Sequence, residues 1–145
     1  MTETRAATYR YAHDRLTEFM SSRGFTVTRH YLDLRTAWRA KYEYKRGGRT
    51  VGVNAEMDAL PGIGHACGHN LIAMAGVGIA LALRAALEKH DVAGTVVLLG
   101  TPGACCAYGA CYLITEIVIL AEESGAGKQI LLDRGAYKDM DVCIM

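Results

Sequence analysis

From Tyr9 onward, apolar residues recur at helical spacing. Tyr9, Ala12, Leu16, Phe19 and Met20 fall on one side, and Arg10, Asp14, Arg15 and Glu18 on the other. This is an amphipathic helix, and Gly24 suits the left-handed position that closes one. The period then changes to two. Phe25 and Val27 alternate with Thr26 and Thr28, and Trp38, Ala40, Tyr42 and Tyr44 alternate with Arg39, Lys41, Glu43 and Lys45. Alternation of that kind predicts half-buried strands. Arg46-Gly47-Gly48-Arg49 reads as a turn, after which Thr50 to Glu56 returns as a strand.

Leu71 to Glu88 predicts a long helix with a buried stripe of Ile72, Ala75, Ile79, Leu83 and Leu87. Gly76, Gly78, Ala80 and Ala82 would let that helix lie close to a sheet, and Asn70 is a candidate cap for its start. Thr95 to Gly100 is apolar on both faces, as a central strand should be. Gly127 to Arg134 reads as a short helix and Asp141 to Met145 as a last strand that no helix covers. Strands alternating with helices predict the α/β class, with a mixed or mostly parallel sheet.

The 145 residues make one domain's worth of chain, 51% hydrophobic and 21% charged, which suffices for a core. A net charge of +1 gives no reason to expect nucleic acid or an anionic membrane as a partner. Met1 to Tyr11 lacks the apolar core of a secretory signal, and no run approaches the roughly 20 apolar residues of a membrane helix. Five cysteines, an odd number, suggest thiols in a reducing, cytoplasmic setting.

Against that background one stretch concentrates chemistry. Between Glu56 and Asn70 stand Glu56, Asp58, His65, Cys67 and His69, punctuated by Pro61, Gly62, Gly64 and Gly68. Two carboxylates, two imidazoles and a thiol thus share a loop between a strand and a helix, where open α/β sheets place their sites. Cys67 and His69, two apart in a turn shaped by Gly64 and Gly68, could reach one metal ion or bridge two. Taken alone, Cys-Gly-His reads equally as packed or surface residues.

A second acidic pair, Glu122-Glu123, follows later. Adjacent carboxylates in an extended segment point opposite ways, so one can ligate an ion while the other acts as a general base. A solvated pair at a helix start reads the sequence as well. Ser124 to Gln129 lacks the glycine spacing and the hydroxyl of a phosphate loop. Cys105, Cys106 and Cys111 lack the partners that would complete a zinc knuckle and read as small buried hydrophobes. His13, His30 and His90 read as surface residues.

The wording from Glu56 to Asn70 resembles the signature loop of the M20 family of metallopeptidases and amidohydrolases, and a dipeptidase-like branch within it. The resemblance extends through Gly100-Thr101-Pro102 and Ala121 to Lys128. It implies a partial α/β/α catalytic domain of the zinc-peptidase type spanning 1–145. One or two Zn2+ or Mn2+ ions would hydrolyse amide bonds of dipeptides or N-acyl amino acids. It assigns Cys67, His69 and Glu123 as metal ligands, Glu122 as the general base, and Glu56 as a supporting catalytic residue. The implied partners are small substrates, with no nucleic acid and no membrane, and homo-oligomer formation stays open.

Three departures from the family pattern frame an alternative. Residues 103–120 are wedged between Pro102 and Ala121, with three cysteines, no Lys or Arg and a single acid, Glu116. That composition fits an intron read in frame, and its apolar run would pack as an extra element or promote aggregation. The family's later histidine ligands and its lid or dimerisation domain are not within the chain. The alternative expectation is therefore a truncated or mis-spliced fragment without turnover, at most an interaction partner of a full-length enzyme.

Overall fold

A computed structural model describes residues 3–59, 63–101 and 127–145, with side chains from Arg10 onward in the first helix. That helix, α1 (Glu3–Ser22), leads through β1 (Thr26–Arg29) and a tight turn at Tyr31–Asp33 to β2 (Trp38–Tyr44) and β3 (Arg49–Ala55). There follow α2 (His69–His90), β4 (Gly94–Gly100), the short α3 (Gly127–Asp133) and β5 (Val142–Ile144). The five strands form one sheet in the order β1-β2-β4-β3-β5. β1 pairs with β2, and β2 with β4, antiparallel, whereas β3 runs parallel to both β4 and β5.

β4 lies at the centre and is buried along its whole length. Val96 and Leu98 enter one core with Met20, Trp38, Val53 and Ala80, beneath α1 and α2. Val97 and Leu99 enter the other with Leu34, Leu131 and Ala136, on the side of α3. An apolar run on both faces is what a strand between two helical layers needs, and the α/β class is realised as three layers.

α1 ends in a Schellman turn. The Phe25 amide donates to the Met20 carbonyl at 3.2 Å and the Gly24 amide to that of Ser21 at 3.0 Å. Gly24 holds φ +79, and Met20 and Phe25, which the turn brings together, are both buried. At the other end of the sheet, Asp141 fastens β5 to β3. Its carboxylate accepts from Arg49 at 2.7 Å and from the Thr50 amide at 2.7 Å, and its own amide donates to the Thr50 carbonyl at 2.9 Å. These bonds, the Thr50 amide foremost and then Arg49, hold its carboxyl below the ordinary range. Glu88 is lowered likewise by the Tyr42 hydroxyl and Arg84, and Asp91 by Lys45 and Tyr44.

Several elements depart from the periodic reading. In α1 the fully buried positions are His13, Thr17 and Met20, while Phe19 is exposed. His13 is therefore a core residue and not a surface one. Polar residues turn inward here with local partners for part of their groups, while His13 Nε2 is buried without a hydrogen bond among the described residues. Thr17 donates to the Asp14 carbonyl at 3.0 Å, His13 Nδ1 meets Asp14 Oδ1 at 2.9 Å, and the His13 ring stacks on His30. His30 and His90 are exposed as expected.

α2 starts two residues earlier than its pattern suggests. Its contact line is His69, Ala73, Gly76 and Ala80, and Ala75 faces solvent. A Cβ on Gly76 would stand 3.1 Å from the Asn54 carbonyl oxygen. The helix thus rides so close to the sheet that only small residues fit the seam, and Ile72, Ile79, Leu83 and Leu87 flank it half-buried. Gly78 and Ala82 are not part of that seam. The helix is also long and apolar enough to cross a membrane by length and composition, with a mean hydropathy of 1.8, which corrects the expectation that no segment approaches that length. Here the helix packs on the sheet. Residues 103–120, with Cys105, Cys106 and Cys111, lie outside the described residues.

Two outcomes follow. Gly24→Ala forces a Cβ into the left-handed region and should cost about 1 kcal/mol, read as a lower urea midpoint with unchanged slope. The lowered carboxylates of Asp141, Glu88 and Asp91, and that of Asp14, which its hydrogen bond with His13 lowers, stabilise the fold at and above the ordinary carboxylate range, and that contribution is lost as pH falls through their folded values, below about pH 4. Thermal melting temperatures should therefore fall from pH 5 to 3, modestly because these pairs are exposed. Asp141→Asn should melt lower at neutral pH and show a shallower acid drop, whereas an unchanged acid profile would contradict the assignment.

Candidate metal centre

β3 and β4 run parallel and end together, with Ala55 paired to Gly100. Thr101 seals the pair by donating from its amide (2.9 Å) and its hydroxyl (3.2 Å) to the Ala55 carbonyl. The chain leaving β3 is therefore delivered to the carboxyl edge of the parallel strands, the usual place for a site in such a sheet. Met57 stays in the core, its sulfur accepting from the Trp38 indole at 3.5 Å. Glu56 and Asp58, on either side of it, are 2% and 3% exposed. Carboxylates so deeply buried need partners.

The partner comes from the start of α2. Gly68 occupies the cap position with φ +75, and no side chain caps the helix. Its carbonyl instead accepts from the amides of Leu71 (2.8 Å) and Ile72 (3.1 Å). A left-handed cap favours glycine over any residue with a Cβ, so the capping role expected of Asn70 falls to Gly68, and Asn70 sits exposed in the first turn. This start makes His69 the first helical residue and points its ring at the strand end. His69 Nδ1 lies 2.5 Å from Asp58 Oδ1, and Nε2 lies 3.3 Å from Glu56 Oε2. The second oxygen of Glu56 accepts from Lys128 Nζ of α3 at 2.5 Å. One buried imidazole thus stands between two buried carboxylates, and a lysine closes the outer side.

The donor set suits a divalent cation. Glu56, Asp58 and His69 each offer a ligand atom, all within 4.8 Å of one another. The 3.3 Å from Nε2 to Oε2 is about the spacing of two ligand atoms on one edge of a tetrahedral zinc site, whose bonds are about 2.0–2.1 Å. Asp58 on Nδ1 is the arrangement in which a carboxylate fixes the imidazole tautomer and turns Nε2 toward an ion. Cys67 occupies the turn before the helix and is exposed. Among the described residues it is not one of the three that cluster. Glu122 and Glu123 lie outside the described residues. Asp58 as the histidine's partner and Lys128 as the partner of Glu56 were not assigned from the sequence. The signal for Lys128 was its place five residues behind the acidic pair, at the end of the Ala121 to Lys128 stretch that carries the resemblance.

No protein-family profile matches the chain. Over 145 aligned residues, 92% of the chain, it is 40% identical to an Xaa-Arg dipeptidase of Mus musculus, of which it covers 29%. It is 38% identical to the Xaa-Arg dipeptidase of Homo sapiens, with 93% of the chain and 30% of that protein aligned. A more distant relative is a component of the p-aminobenzoyl-glutamate hydrolase of Escherichia coli (strain K12), 28% identical over 92% of the chain and 27% of that protein. In fold, the chain matches a crystal structure described as an aminohydrolase of methicillin-resistant Staphylococcus aureus. The TM-score is 0.56 at 18% identity, with 97% of this chain and 39% of the other covered. The chain spans less than a third of the length of the curated relatives it matches, and over that span it is similar to amide-bond hydrolases of the dipeptidase kind.

Proposed function

We propose that this chain is the part of an M20-type, metal-dependent amidohydrolase domain that carries a metal half-site, with dipeptides or N-acyl amino acids as substrates. The observation that carries the reading is the buried Glu56–Asp58–His69 cluster at the carboxyl ends of two parallel strands. Its likeness to Xaa-Arg dipeptidases makes dipeptides with a basic carboxyl-terminal residue the first substrates to try.

In this reading His69, Cys67 and Glu123 hold Zn2+ or Mn2+, with Asp58 keeping the His69 ring in place and Glu56 supporting the same centre. When bound, such an ion supplies Lewis-acid activation of a water and of the amide carbonyl. Glu122 takes the proton of the attacking water and returns one to the leaving amine. The low exposure of Glu56 and Asp58 strengthens charge interactions at the centre, since little water screens them. A cytoplasmic setting belongs to the same proposal. A second reading draws on the composition of residues 103–120, with three cysteines and no Lys or Arg: a catalytically silent chain that acts, if at all, by pairing with a longer relative.

Purified chain equilibrated with Zn2+ or Mn2+ should retain the ion after desalting and release amino acids from β-alanyl-lysine or an Xaa-Arg dipeptide. Glu122→Gln should keep the ion and lower the rate about 100-fold or more. Metal uptake without turnover of any dipeptide would favour the second reading, and absence of metal uptake would defeat the hydrolase reading itself. Asp58→Asn should keep the fold and lower metal affinity by about 10- to 100-fold, measured by chelator competition.

A further inference from the structure

Glu56 is held at both ends of its carboxylate. Oε1 accepts from Lys128 Nζ at 2.5 Å, and Oε2 faces His69 Nε2 at 3.3 Å. A glutamate has three rotatable side-chain bonds, and left to itself its carboxylate would sample several orientations. Lys128 reaches the site from α3, 72 residues away in sequence, and its Nζ also lies 3.5 Å from the Met145 sulfur. The lysine brings its charge to the outer oxygen. Had Nζ bridged Oε2 and the imidazole it would plug the centre. It stands instead on Oε1, the oxygen away from the imidazole. The lysine also brings a positive charge to a place where two buried carboxylates converge on one ring, an arrangement costly without a counter-charge.

We propose that Lys128 is a positioning residue that turns Glu56 into a direct ligand of the ion, by fixing one carboxylate oxygen so that the other faces the same point as His69 Nε2. This rests on the metal-dependent reading above and assigns Glu56 a place in contact with the ion. Lys128 acts through Glu56 and does not touch the ion.

The test uses the full chain with Co2+ alone as the probe, its affinity read by chelator competition and its visible absorption. K128M should bind Co2+ about 10-fold more weakly or worse, with parent-like circular dichroism, and K128R should retain most of the affinity. E56Q should also weaken binding, and adding K128M to E56Q should cost nothing further, because the lysine then has no carboxylate to orient. Parent-like affinity in K128M, or losses that simply add in the double variant, would overturn the proposal. K128M leaves Glu56 without its cation, so K128Q, which still donates a hydrogen bond, is run beside it. Loss of fold in both would make Lys128 a structural residue and overturn the proposal as well. The two readings fail differently. A parent chain that takes up no Co2+ removes the metal-dependent function and this role with it. A parent that binds Co2+ only as tightly as K128M does removes only the role of Lys128.

Discussion

The pairing of β3 with β4 in parallel, ending together at Ala55 and Gly100, is the constraint on which the rest depends. It sets where Glu56 and Asp58 leave the sheet. The crossover between the two strands is α2, so the same pairing requires a helix to start near that edge and return along the sheet. Gly76 lets the helix approach until the seam admits no larger side chain, and the closeness of that packing determines how near the His69 ring comes to the strand end. The candidate metal centre is thus a consequence of sheet register and helix packing together.

Where α2 starts matters as much as how it packs. Had the helix begun after a capping Asn70, His69 would sit in the preceding turn with its backbone unconstrained. Starting at a left-handed Gly68 instead draws the histidine into the helix, where backbone hydrogen bonding restricts its direction. A ring held by a regular element and by the Asp58 carboxylate is pre-organised, which is what a ligand-binding constellation needs.

Much of this was legible in the chain, and the failures have physical causes. Period-two alternation marked β2, and an apolar run on both faces marked β4, because those patterns follow directly from how strands are buried. The stripe of α2 was read one position off, since large apolar residues score highest while the seam is occupied by Ala73, Gly76 and Ala80. His13 was misplaced for the opposite reason: a polar residue entered the core, held by the adjacent Asp14 and by stacking on His30, a contact between elements that no local pattern reveals. The glycine-rich stretch from Glu56 to Asn70 announced a site. Which atoms meet there was not readable, because the Asp58–His69 and Glu56–Lys128 contacts join elements that only the fold brings together.

The charge arrangement separates a metal-ready centre from an ordinary buried network. A structural ion pair gains most when every lone pair and proton is matched, and replacing such a pair by apolar residues often stabilises a fold. Here the matching is uneven. The short contact on His69 is with Asp58, whereas Glu56 Oε2 stands 3.3 Å from the other ring nitrogen. Glu56 is held also by Lys128 on its other oxygen, so the two acids on one imidazole are matched by a lysine as well as by the ring. A divalent ion at this edge would take up Nε2 and Oε2 and add a second counter-charge beside that of Lys128. The three donor groups lie close enough together to serve one cation.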